Sequence, residues 1–100
     1  MYLWIQLSMN ITYDPPKREK TLHERGLDFI DASIILNSAI FEFEDTRENY
    51  HEERMIAVGH LLGRMVIIGY VQRGDAKHIF SMRKANEREI KRYQKQFDNS

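Results

Sequence analysis

Apolar and polar positions change period several times along this chain, and each change marks an element. Ile11 and Tyr13 alternate with Asn10 and Thr12, as in a short strand. Asp14-Pro15-Pro16 reads as a helix start, with Asp14 as N-cap and Pro15 at the first helical position, where its missing N–H costs nothing. This helix runs through Lys17 to Arg25 and stops at Gly26. Leu22 is its only large aliphatic residue, so it belongs on the surface. A second helix opens at Asp28, with Asp31 at N3 and Leu27 placed to staple onto Ala32. Phe29, Ile30, Ala32, Ile34, Ile35 and Leu36 spread over a wide apolar arc, so this helix is expected to carry the core until Asn37-Ser38 ends it.

Beyond it the period becomes two. Ile40, Glu42 and Glu44 alternate with Phe41 and Phe43, which predicts a strand with one wet face. Glu44 to Glu53 has no apolar period and reads as a solvated loop, without three ligands at a spacing that would suit a metal. Three strands then follow closely: Arg54–Leu61, a turn at Leu62-Gly63, Arg64–Gln72, a turn at Arg73-Gly74-Asp75, and Ala76–Arg83. The middle one is apolar on both faces and should be central. On the last one, alternation groups Ser81 and Arg83 with Ile79, and His78 and Phe80 with Met82. A helix from Asn86 to Phe97 closes the chain, with Ile90, Tyr93 and Phe97 as its seam. The order β-α-α-β-β-β-β-α is an α+β domain, a mostly antiparallel sheet with helices packed on it.

Composition changes this picture in three ways. One hundred residues, 42% of them hydrophobic, suit a single domain that needs most of its apolar residues in one core. Having no cysteine excludes disulfides and thiolate metal sites and suits the cytoplasm. The net charge of zero hides a split: residues 1–59 hold six Lys/Arg against eleven Asp/Glu, and residues 60–97 hold nine against three. The balance argues against a protein that coats nucleic acid non-specifically, while the basic half can still hold a few phosphates. The opening MYLWIQLSM is too short for a membrane span and lacks the flanks of a signal peptide. Residues 1–8 read as an N-terminal extension, and residues 9–100 as the domain.

Several short stretches in order carry a resemblance. They are YDPPK at 13–17, RGLDF at 25–29, EERMIAVG at 52–59, the RGD turn at 73–75 and IFSMRKANEREIKRY at 79–93. The chain resembles the BrnT family, the ribonuclease halves of BrnT–BrnA toxin–antitoxin pairs. The resemblance implies a RelE-like fold, RNA cleavage that stops translation, no cofactor, and a BrnA-like antitoxin that silences the toxin. RNA, free or on the ribosome, would be the target, and operator DNA would be reached only through the antitoxin. No membrane is expected, and a dimer is left open. The sequence departs from the family pattern at Thr21, Arg25 and His78, where Asn, His and Arg are usual.

A ribonuclease without a metal makes the ribose 2′-hydroxyl attack its own phosphate. That reaction needs a base, an acid, and cations for the charge that builds on the phosphoryl oxygens. Arg83 is the leading cation, because its fork can hold two phosphate oxygens, and Lys84 is a point charge beside it. His78 suits proton transfer or, replacing an arginine, phosphate binding; a strand histidine can equally be a surface or core residue. Glu89 is a catalytic candidate, yet Asn86-x-x-Glu89 is also a capping-box spacing. Tyr93, Lys17, Arg25 and His60 are candidate substrate contacts, Tyr93 having a core role as its alternative. No Gly-rich phosphate loop, Ser-His-Asp set or HExxH is present. A different class of function also fits: a non-catalytic member whose acidic strand and loop hold an antitoxin or another basic protein.

Overall fold

A computed structural model describes residues 10–98, the side chain of Phe97 apart. The elements are β1 (Asn10–Tyr13), α1 (Pro15–Arg25), a 3₁₀ turn (Phe29–Asp31) running into α2 (Ala32–Asn37), β2 (Phe41–Glu44), β3 (Arg54–Leu61), β4 (Arg64–Arg73), β5 (Ala76–Lys84) and α3 (Glu87–Asp98). The expected order of elements therefore holds. The expected extension at residues 1–8, and Phe97 as part of the seam, lie outside what is described.

One five-stranded sheet, ordered β1-β5-β4-β3-β2, makes up the body of the domain. Strands β2 to β5 form an antiparallel meander, whereas β1 pairs parallel with β5, so the sheet is mixed. Alternation within a strand reports which side chains share a face and nothing about strand direction, so the parallel edge left no trace in the pattern. The all-apolar β4 is central, buried from Met65 to Val71.

The first face of the sheet carries the main core. Leu27, Phe29, Ala32, Ile35 and Leu36 pack there against Ala57, Val66, Ile68, Tyr70, Ile79 and Met82. The approach is close because Gly59 has no side chain: a Cβ there would collide with the Ile35 carbonyl oxygen. Ile30 and Ile34, expected in the core, are 51% and 55% exposed. The helical segment is short and begins as a 3₁₀ turn, so only one stripe of it meets the sheet and the arc is narrower than the sequence suggests. Asp28 does cap it, accepting from the Ile30 N–H at 3.0 Å. Asp14 sits at the α1 N-cap position in extended conformation but makes no side-chain cap bond. No residue of α1 is buried, as its polarity requires.

The second face is only partly covered. Val58, Met65 and Ile67 pack beneath Tyr93 of α3, with Phe41, Ile56 and Ala85 around them. Ile90, the other seam residue within the described part, stays 42% exposed. A β-bulge decides what else lies on this face. Gly69 pairs with Ser81 but Tyr70 pairs with Ile79, so Phe80 is an extra residue in β5. Ile79 and Met82 consequently face the same core, and the expected grouping of Ser81 and Arg83 with Ile79 is corrected. The Phe80 ring lies over Gly69, where a Cβ would come within 2.7 Å of it.

Candidate functional site

The uncovered part of the second face is where Arg83 and Glu89 meet. Arg83 is level with Ile67 in the β4–β5 ladder and so projects onto this face. There it joins Phe43, Asp45, Arg47, Ile56, Arg92 and Tyr93 around a groove of about 380 Å³. Phe41 and Phe43 put their rings 5.7 and 6.4 Å from that of Tyr93, forming one apolar wall.

Arg83 is held end-on. Its Nη1 and Nη2 donate to Glu89 Oε1 and Oε2 at 2.8 and 2.7 Å. Glu89 in turn accepts from the Asn86 N–H at 2.9 Å, while Asn86 Oδ1 accepts from the Glu89 N–H at 2.8 Å. The capping box therefore forms, and the same carboxylate both starts α3 and aims Arg83. Arg83 and the Asn86 N–H hold the Glu89 carboxyl down to about 2. So depressed, Glu89 is an ion at neutral pH with little tendency to take or give a proton. The side fork of Arg83, its Nε and the second N–H of Nη2, makes no hydrogen bond to another described residue. The arginine is also 41% exposed, against 18% for its partner.

The loop before β3 completes the groove. Asp45, with only 7% of its surface exposed, accepts from Arg47 Nε and Nη2 at 2.8 Å each and from the Tyr50 hydroxyl at 3.2 Å. These donors hold its carboxyl well below the usual range. A segment that reads as plain solvated loop is thus pinned by a buried acid. Its effect is to bring Arg47 close enough to Arg83 for the two charges to repel.

Arg54, at the start of β3, is the residue that sequence reasoning missed. Its guanidinium lies 4.2 Å from the centre of the Tyr50 ring and 4.8 Å from that of Phe80. Its Nε is buried without a hydrogen-bond partner. The available signal was the cation at the head of EERMIAVG, two strands away from the stretch where the charges concentrate.

The other expected residues are dispersed. His78 sits on β5 across from Thr12, whose Oγ1 is 2.8 Å from its Nδ1, and it is five residues from Arg83 along the strand, roughly 16 Å. Lys84 is exposed, and alternation turns it to the opposite face from Arg83. Lys17 stands 6.0 Å from the Phe80 ring centre and shares a hollow with Lys20, Arg25 and Ser81. Arg25 donates to the Met82 carbonyl at 2.9 Å, a structural bond that leaves its charge beside that hollow. His60 lies at the far end of β3 near Ile90, away from the groove. Among the described residues, no three His, Asp or Glu side chains converge as a metal site, and no helix is long and apolar enough to cross a membrane.

Comparison with known proteins bears on the family and the fold. The family model described as the ribonuclease toxin BrnT of type II toxin–antitoxin systems matches residues 13–89. The crystal structure of the Brucella abortus ribonuclease toxin BrnT superposes with a TM-score of 0.64 at 29% identity, over 80% of this chain and 100% of that one. No curated protein sequence matches. The family match runs from Tyr13, the last residue of β1, to the first turn of α3, and so takes in β2 to β5, the bulge and the Arg83–Glu89 pair. With sequence and fold in agreement, the chain belongs to the BrnT family of ribonuclease toxins, whose type II systems pair each toxin with an antitoxin.

Proposed function

We propose that this chain cleaves RNA without a metal ion and thereby inhibits translation in the cytoplasm, with the groove around Arg83 as its active site. One observation carries the reading: Arg83 is fixed end-on by Glu89 while its side fork stays open toward a groove that also holds Arg47 and Arg92. A guanidinium fork matches two phosphoryl oxygens, and fixed cations stabilise the charge that develops there. The attacking 2′-hydroxyl comes from the RNA itself, so guanidinium charge can do the work a metal would do. In this reading Glu89 is a positioning residue, and the Tyr93 hydroxyl is the groove's group for proton exchange. His78, with Lys17 and Arg25, contacts the RNA backbone further out. The mixed sheet with its four-stranded meander is taken as RelE-like. The antitoxin, a BrnA-like protein that also carries the DNA-binding function, would cover the cationic groove with carboxylates, so salt should speed its release.

The test uses purified protein, a defined RNA and excess chelator. Wild type should cleave, and block a cell-free translation reaction. Arg83→Ala should lose about 10²–10³-fold in kcat while still folding, as a thermal melt checks. Cleavage abolished by the chelator would overturn the metal-free mechanism.

A second reading has one observation in its favour: no histidine lines the groove around Arg83. A binding-only member, docking its antitoxin without chemistry, would need none. Wild type and Arg83→Ala equally inert on RNA and in cells would establish that reading instead.

A further inference from the structure

Several of the nine arginines have a fixed partner. Arg18, Arg47 and Arg83 each hold a carboxylate through two hydrogen bonds. Arg54 differs. It makes no ion pair with another described residue, and its Nε has no acceptor although it is buried. What holds it are two aromatic rings, Tyr50 from the Asp45 loop and Phe80 from the bulge of β5. A ring attracts the charge of a guanidinium without using its N–H groups in conventional hydrogen bonds. The side chain is therefore immobilised while its Nη groups make no hydrogen bond to another described residue.

Both rings are placed by unusual local structure. Tyr50 is tied to buried Asp45 through its hydroxyl, and Phe80 occupies the space that Gly69 leaves open. Lys17 approaches the same Phe80 ring at 6.0 Å, so this corner of the sheet is cationic from two elements. Arg54 is also far from Arg83. Arg83 is level with Val58 across β4, and Arg54 is four residues further along β3, about 13 Å along and 10 Å across. One phosphate cannot bridge the two forks.

Building on the ribonuclease reading, we propose that Arg54, clamped between Tyr50 and Phe80, is a second anion-binding fork that grips an RNA phosphodiester at a distance from the scissile one. It acts in substrate binding and not in the bond-breaking step. Cleavage of an extended single strand should then depend on it through KM.

The experiment uses the full chain and two probes: a labelled, fully 2′-O-methylated oligoribonucleotide, which cannot be cleaved, and its unmodified counterpart. In Arg54→Gln, binding of the methylated probe should weaken about tenfold at low salt. The slope of log K against log salt should also fall by about 0.7, the value for one phosphate contact on a single strand. On the unmodified strand KM should rise by a similar factor with kcat unchanged. Phe80→Leu, which loosens the clamp and keeps the arginine, should raise KM less. Thermal melts of both variants check that they fold. An unchanged slope and KM in a folded Arg54→Gln protein would overturn the proposal, and so would a fall in kcat as large as that of Arg83→Ala. If wild type binds the methylated strand with the expected salt slope but leaves unmodified RNA intact, the ribonuclease reading fails and the Arg54 site stands. If wild type binds no RNA, both fall.

Discussion

The two faces of the sheet are built on different principles. On the first, apolar side chains from the 3₁₀ turn and α2 close onto β3, β4 and β5, and even one Cβ at Gly59 is excluded. On the second, a small apolar cluster ends under Tyr93, and the remaining surface is set with arginines held by carboxylates or rings. Close packing supplies stability on one side. On the other, directional charge–charge and charge–ring contacts fix positive groups where solvent and a substrate can still reach them. A small domain can thus keep a cationic site rigid without burying it.

The largest effect should come from the packed face. Phe29, 1% exposed and edge-on to Tyr13 at 6.2 Å, should cost about 3–5 kcal/mol when cut to alanine. Phe43→Ala on the open face should cost only about 1 kcal/mol, since that ring is 40% exposed. Urea unfolding measures both. Equal losses would mean that the second face is a core as well.

A smaller effect, confined to acid, belongs to Glu89. Its carboxyl is held near 2 in the fold, below its ordinary 4.5, so the stability it contributes is complete above about pH 4.5 and fades as pH falls toward 2. Glu89→Gln should be less stable than wild type by about 1–2 kcal/mol at pH 7. The difference should vanish across that acid window. A gap that persists at pH 2 would show that shape, not charge, makes the contribution.

The smallest effect is expected at the rim. RNA binding should weaken only modestly in His78→Ala. His78→Arg should bind at least as well as wild type. Cleavage that instead disappears in His78→Arg would make His78 a general base and move the reacting centre toward β1.

These contrasts also explain what the sequence could and could not show. Elements with a local cause were legible: the α1 end at Gly26, the Asp28 cap, the all-apolar centre strand, and the Asn86–Glu89 box, which needs only a spacing of three. What escaped depends on contacts distant in sequence. The bulge at Phe80 follows from an empty place on β4, and it shifts the alternation in β5, so that Ile79 shares a face with Met82 and not with Ser81 and Arg83. The parallel pairing of β1 joins residues 66 positions apart, as Thr12 and His78 show. Arg54 reads as one more charge in an acidic stretch, because the rings that hold it come from a loop and from a strand two places away in the sheet. Of the candidate site, Arg83 and Glu89 meet, Tyr93 lines the same groove, and His78, His60 and Lys84 lie apart from it.

The bond from Arg25 to the Met82 carbonyl bears on solubility. β1 pairs with β5 only as far as Ile79, so the rest of that border would be a bare row of backbone groups inviting a strand from another copy. Helix α1 lies alongside it, and Arg25 occupies the Met82 carbonyl. The opposite border, β2, is four residues long and carries Glu42 and Glu44, whose charge repels an identical neighbour. The stretch of β5 beyond β1 and the β2 border are thereby guarded against edge-to-edge joining. Self-association through the sheet edges is disfavoured by a helix on one side and by charge on the other.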